Sequence, residues 1–280
     1  MEKLVTILVP TDFSAAAKAA GRFAASLAVP VKAKVVLLSV VEMDTSETVL
    51  HSWKVLENQN KASALRNLEK QVKEIQASFK TPPQISTDLV VGMPKEDMIV
   101  QRAKEIGADL IVMGTKGASG LKKIFSGSNT ARIIQLSHIP VVAIPAKITF
   151  SQLAKIVYAS DLKNVHAETK TLAKIASLFN AHIMVLHVVA KKEPARIDRN
   201  LEPELIEKCR YGAISFHQVE GDAVDTAIAD FIQEQRADML VMYTHKLDFI
   251  DRAMGKSVTR SLAFRNQVPL LVFKKTSPQG

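Results

Sequence analysis

The sequence predicts an α/β chain of two tandem domains, each a five-stranded parallel sheet with helices on both faces. Three observations predict it. Short runs dominated by Val, Ile and Leu alternate with longer segments of helical period, the signature of βαβ units. The second half repeats the first. The chain has 280 residues, 47% apolar and 23% charged, enough for two cores.

The repeat is read by superposition. VVGMPKEDMIVQRAKEIGADLIVMGTK (90–116) lies over VEGDAVDTAIADFIQEQRADMLVMYTH (219–245). Gly92 then falls on Gly221, Ala108-Asp109 on Ala237-Asp238, and Val112-Met113 on Val241-Met242. The openings ILVPTDFS (7–14) and IVYASDLK (156–163) agree, with Asp12 on Asp161. So do AASLAVPVKAKVVLLSVVE (24–42) and IASLFNAHIMVLHVVA (175–190), and the closings HIPVVAIP (138–145) and QVPLLVFK (267–274). The seam falls near Pro145-Ala146-Lys147, which predicts domains 1–147 and 148–280.

In the first repeat, strands are expected near 4–10, 34–41, 85–91, 109–114 and 140–144. Their nearly continuous apolar character is that of strands covered on both faces. Helices are expected near 14–28, 46–79, 94–106 and 127–136. In the second of these, Leu65, Leu68, Val72, Ile75 and Phe79 form an apolar stripe, expected to face the core. The corresponding region of the second repeat, about 193–210, carries Pro194 and Pro203 and predicts a truncated helix. Right-handed crossovers place helices on both faces.

Composition narrows the function classes. A single Cys, Cys209, excludes a disulfide framework and a Cys-based zinc site and fits a reducing cytoplasm. No apolar run approaches the roughly 20 residues of a membrane span, and MEKLVTILVPTD reads as a first strand rather than a signal peptide. The charge of +9 is spread along the chain with only 5% aromatics, so nucleic acid is not the expected partner.

One stretch stands out. MGTKGASGLKKIFSGSNT (113–130) holds Gly114, Gly117, Gly120 and Gly127, four of the 11 glycines. In open parallel sheets, ligands bind at the carboxyl ends of strands where strand order reverses. Val9-Pro10-Thr11-Asp12 and Met113-Gly114-Thr115-Lys116-Gly117 both sit at such ends. Bare glycines let backbone press against a ligand. Gly127-Ser128-Asn129-Thr130 opens a helix whose free N–H groups suit a phosphate, with Ser128 or Asn129 as N-cap and Lys116, Lys122 and Lys123 as counter-charge. Asp12 fits either a ligand contact or, like Ser14, an N-cap.

The spacing Gly114-x2-Gly117-x9-Gly127-Ser128 resembles the ATP-binding motif of the universal stress protein family. These are nucleotide-binding proteins of the Rossmann-like, adenine nucleotide alpha hydrolase-like group. The resemblance covers nearly the whole chain and implies a tandem pair of such domains. It implies an adenine site at Pro10, Thr11 and Asp12 with a backbone contact from Val40 or Val41. It implies a phosphate loop of Met113, Gly114, Lys116, Gly117, Gly127, Ser128, Asn129 and Thr130. The ligand implied is ATP or a related adenine nucleotide, with Mg²⁺ or Mn²⁺ on the phosphates. The terminal strands Val141-Val142-Ala143-Ile144 and Leu270-Leu271-Val272-Phe273 are implied to pair across a pseudo-two-fold axis, with a further dimer of chains open.

The second repeat departs from the motif. In MYTHKLDFIDRAMGKSVTR (242–260), Tyr243 replaces Gly114, Lys246 replaces Gly117 and Lys256 replaces Ser128, while Gly255 aligns with Gly127 only after a one-residue deletion. This repeat is expected not to bind ATP in the same manner, although Lys246, Lys256 and His245 offer charge. His187 and His245 are expected to be structural rather than metal ligands. No Walker lysine, nucleophile elbow or Asp-rich cluster appears, so any hydrolysis is expected to be slow. The reading is a stress-response switch or sensor binding ATP in its first domain; the alternative is an ATP-independent scaffold or apolar-ligand carrier.

Overall fold

The computed structural model describes residues 4–42, 50–115, 128–145, 148, 150, 152–189, 200–244 and 268–274, without the side chains of 50–57, 128 and 244. These residues fall into two compact units. Unit one runs β1 (Thr6–Pro10), α1 (Ala15–Val31), β2 (Lys34–Val41), α2 (Leu50–Gln76), β3 (Gln84–Val91), α3 (Lys95–Glu105), β4 (Leu110–Gly114), α4 (Ser128–Leu136) and β5 (Val141–Ile144). All its strands are parallel, in the order β3-β2-β1-β4-β5. The chain therefore moves outward from β1 to β3, then crosses back to β4. Right-handed crossovers put α1 and α2 on one face and α3 and α4 on the other. Ile7, Leu8, Val9, Ile111 and Val112 are fully buried, so the central strands are covered on both sides.

Two details differ from the sequence reading. Helix α1 runs past residue 28 to Val31, through Pro30. A proline in the last turn removes one backbone bond, and Lys32 closes the end in the left-handed region, φ 56°, donating its N–H to the carbonyls of Ala28 and Val29. In α2 the expected stripe is rotated. Leu68 and Ile75 are buried as expected, but Leu65 is 45% exposed and Val72 and Phe79 are half-buried. Ala64 and Gln71 complete the buried face. The helix meets α1 at Gly21, where a Cβ would stand 2.9 Å from Ile75 Cδ1. That close crossing selects the buried face, and it admits a polar residue at its centre.

Unit two runs β6 (Lys155–Ala159), α5 (Val165–Phe179), β7 (His182–Val189), α6 (Leu201–Cys209), β8 (Ile214–Glu220), α7 (Val224–Gln235), β9 (Met239–Thr244) and β10 (Leu270–Lys274). Its order, β8-β7-β6-β9-β10, is again parallel throughout. The truncated helix is α6, nine residues against the 27 of α2, with Pro203 in its first turn, where no intrahelical N–H is required.

The repeated Asp109 and Asp238 have a structural role. Asp109 Oδ2 accepts the N–H groups of Val5 and Thr6 at 2.8 and 2.9 Å. Asp238 Oδ2 accepts those of Ala154 and Lys155 at 2.8 and 2.7 Å. Each carboxylate ties the start of one central strand to the start of its neighbour.

Candidate functional site

In unit one the carboxyl ends of β2, β1 and β4 lie side by side at the reversal of strand order. Pro10 ends β1 and pairs with Leu38, Val40 and Val41 end β2, and Met113 and Gly114 end β4 beside Ala143 and Ile144. Ser128, Asn129 and Thr130 form the first turn of α4, so the cap position precedes Ser128 and falls outside the described residues. Asn129 is exposed and Thr130 buried. Lys116, Gly117, Lys122, Lys123 and Gly127 also lie outside the described residues, as do Trp53 and His51 by their side chains.

The turn after β1 is built by side chains. Phe13 adopts φ 63°, a left-handed conformation that costs a non-glycine residue about 1–2 kcal/mol. Its N–H donates to Thr11 Oγ1 at 3.0 Å, and the next N–H, of Ser14, donates to Asp12 Oδ1 at 3.1 Å. Ser14 Oγ then accepts from Ala17 N–H at 3.2 Å and is the N-cap of α1. The two roles open to Asp12 are thereby resolved in part: Ser14 does the capping, and Asp12 stands exposed. Burial acts to raise the Asp12 pKa, but hydrogen bonds from Ser14, its own backbone and the Lys95 charge outweigh it, so it stays below the usual range.

Lys95 was not singled out by the sequence. It is the first residue of α3, with Nζ 3.8 Å from Glu42 Oε2, close enough to Asp12 to bias its ionisation. A cation beside the ends of β1 and β2 is thus part of this edge. The only signal was its place directly after Gly92-Met93-Pro94.

Gly114 is also fixed by packing. The sequence reading gave its bare backbone to a ligand. A Cβ at Gly114 would sit 2.3 Å from both the carbonyl carbon and oxygen of Ala16 in α1. The first helix itself demands glycine there, because α1 presents a face of small residues, with Ala16, Ala19, Ala20 and Ala24 all buried.

A model of the universal stress protein family matches residues 5–145 and again residues 154–274. The chain belongs to this family. Two universal stress proteins of Methanocaldococcus jannaschii are 32% identical over 140 residues and 30% identical over 163. These matches cover 49% and 50% of this chain and 80% and 94% of the relatives. A crystal structure of a universal stress protein from Archaeoglobus fulgidus is 20% identical, covers 97% of this chain and 98% of its own, and superposes with a TM-score of 0.71. That likeness shows that the tandem fold is shared.

Both universal stress protein domains keep the turn after their first strand. In unit two Leu162 takes φ 63°, its N–H donates to Ser160 Oγ at 3.1 Å, and Lys163 N–H donates to Asp161 Oδ1 at 3.1 Å. The neighbouring site differs. Tyr243 stacks on Phe273 with centroids 4.6 Å apart, meets Tyr158 edge-on at 5.5 Å, and donates its hydroxyl to the Glu168 carbonyl at 2.8 Å. Tyr158 donates to the buried Glu168 carboxylate and accepts from Ser160 Oγ. Burial foremost, with Glu168 beside both rings, pushes both phenols far above their ordinary range, so they stay neutral donors. The Tyr243 ring therefore points under α5.

His187 Nδ1 donates to the Ser160 carbonyl at 2.9 Å. His245, Lys246, Gly255 and Lys256 lie outside the described residues. Burial raises the Cys209 thiol, against a smaller pull from Lys170, which makes it a poor nucleophile. Among the described residues, no group of three or more His, Cys, Asp or Glu could hold a metal, and no helix is long and apolar enough to cross a membrane.

Proposed function

We propose that the first domain, residues 1–147, binds ATP or a related adenine nucleotide. In this reading the chain is a nucleotide-dependent switch or sensor in a stress response, in a reducing cytoplasm, and the second domain, 148–280, is structural or regulatory. The observation that carries it is Asp12. It stands exposed at the strand-order reversal, held by its own turn while Ser14 takes the capping role. With the main-chain edge of Val40, two residues beyond the Leu38 carbonyl that Thr11 bonds, on one side and Lys95 on the other, the residues present fit a nucleoside. A Mg²⁺ or Mn²⁺ ion would be held by phosphate oxygens, since the described residues offer no cluster of protein ligands. The chemistry is retention of the nucleotide, with any phosphate release slow.

The test is mass spectrometry of the full chain purified without added nucleotide, followed by ATP titration. One ATP per chain, weakened by Gly117→Leu at least about tenfold, is expected. Two sites per chain would overturn the assignment of the second domain.

A second reading, an ATP-independent scaffold or apolar-ligand carrier, is favoured by Gly114. That glycine is demanded by Ala16 whether or not a nucleotide binds. Protein that carries no nucleotide and shows no affinity for ATP would establish it.

A further inference from the structure

We propose that Gln71 is a positioning residue for the nucleotide site of unit one, fixing the Thr11 hydroxyl and through it the turn that presents Asp12. The inference rests on the nucleotide reading of that site. Gln71 lies on the buried face of α2 between Leu68 and Ile75 and is 2% exposed. Its Oε1 accepts the Thr11 hydroxyl at 2.9 Å, across 60 residues of sequence. Its Nε2 has no partner among the described residues. Such a buried, unmet amide costs about 1–3 kcal/mol. Met would fill the same place in an otherwise apolar stripe without that cost but would leave the buried Thr11 hydroxyl without an acceptor, so what distinguishes Gln71 is the bond it accepts.

Proton bookkeeping accounts for it. Thr11 Oγ1 has one proton and two lone pairs. Giving the proton to Gln71 turns a lone pair toward Phe13 N–H, 3.0 Å away, and that bond offsets the strain of φ 63°. Thr11 is itself only 6% exposed, so water has little access to replace Gln71. Gly21 on α1 makes the room: a Cβ there would stand 3.2 Å from Gln71 Nε2.

Unit two shows the arrangement is a choice. The same turn at Leu162 is held by Ser160, whose hydroxyl donates to Tyr158, which donates in turn to Glu168 on α5. Among the described residues, none of the short α6 takes part in that relay. Only the unit with the intact glycine motif takes its anchor from its second helix.

The experiment compares full-length wild type with Gln71→Met, Thr11→Val and the double variant. Three quantities are read: the urea midpoint, ATP affinity, and exchange of the Phe13 amide without nucleotide. Gln71→Met is expected to lower the urea midpoint, because the buried Thr11 hydroxyl loses its acceptor, while ATP affinity falls about tenfold and Phe13 exchanges about tenfold faster. Thr11→Val should match it in affinity and exchange, and the double variant should lose little more in either while recovering part of the urea midpoint, since neither half of the broken pair is then left buried. A Gln71→Met protein that loses stability but keeps ATP affinity and Phe13 exchange overturns the proposal, because Gln71 would then be packing alone. Wild type that binds no ATP sinks the nucleotide reading and the positioning role together. Wild type that binds while Gln71→Met binds equally sinks the positioning role alone.

Discussion

Two strand ends that superpose in the repeat, Gly114 of β4 and Tyr243 of β9, solve one packing problem in opposite ways. In unit one an alanine face lets α1 approach until a single Cβ at Gly114 would overlap the Ala16 backbone. In unit two the space under α5 is filled by Tyr243 stacked on Phe273, with Tyr158 edge-on and the Tyr243 hydroxyl on the Glu168 carbonyl. The lesson is that a glycine in a ligand motif can be fixed by the fold. Its replacement in a sister domain then reports a repacked helix as much as a lost ligand.

The comparison breaks most visibly at Tyr243. Tyr243→Gly removes a ring and the hydroxyl that holds the Glu168 carbonyl, and is expected to destabilise unit two by about 4 kcal/mol. Urea unfolding should show it, and no ATP site should appear in that unit. Gly114→Ala tests the other side: with backbone 2.3 Å away, α1 must move, at about 3 kcal/mol. A neutral Gly114→Ala would show that α1 is not the constraint.

What the units share should respond alike. Asp109→Ala and Asp238→Ala each strip an acceptor from two backbone N–H groups, and each should cost its own unit about 2 kcal/mol. A large inequality would mean that the repeated Asp does different work in the two places.

The smallest effect is a pH response confined to unit two. Ser215 Oγ lies 2.8 Å from both His182 Nε2 and His217 Nε2. Burial foremost lowers the His217 pKa; the Glu202 charge opposes it, and the smaller His182 contribution adds to the lowering. A depressed folded value means the unfolded chain binds the proton more readily. The stabilisation is therefore full above about pH 6.5 and lost as pH falls through the folded value. His217→Phe should flatten that slope in urea melts between pH 5 and 7.5, chosen around the ordinary His value.

Much of this was legible beforehand because it follows from period and repetition. The nine elements of unit one, their parallel orientation and the truncated α6 follow from apolar runs, helical spacing and two prolines, all local properties of the chain. So does the placing of Pro10, Asp12, Val41 and Gly114 at strand ends. The rotated face of α2 was not legible, since Leu65 and Val72 satisfy the helical period as well as Ala64 and Gln71 do. Only the close crossing at Gly21 chooses between them. Nor could sequence assign the cap to Ser14 over Asp12, place Lys95 beside Asp12, or join Thr11 to Gln71. Those pairings depend on which helix lies over which strand end, and the chain sets that only once its helices have packed. Periodicity decided what forms; contact between elements distant in sequence decided which atoms meet.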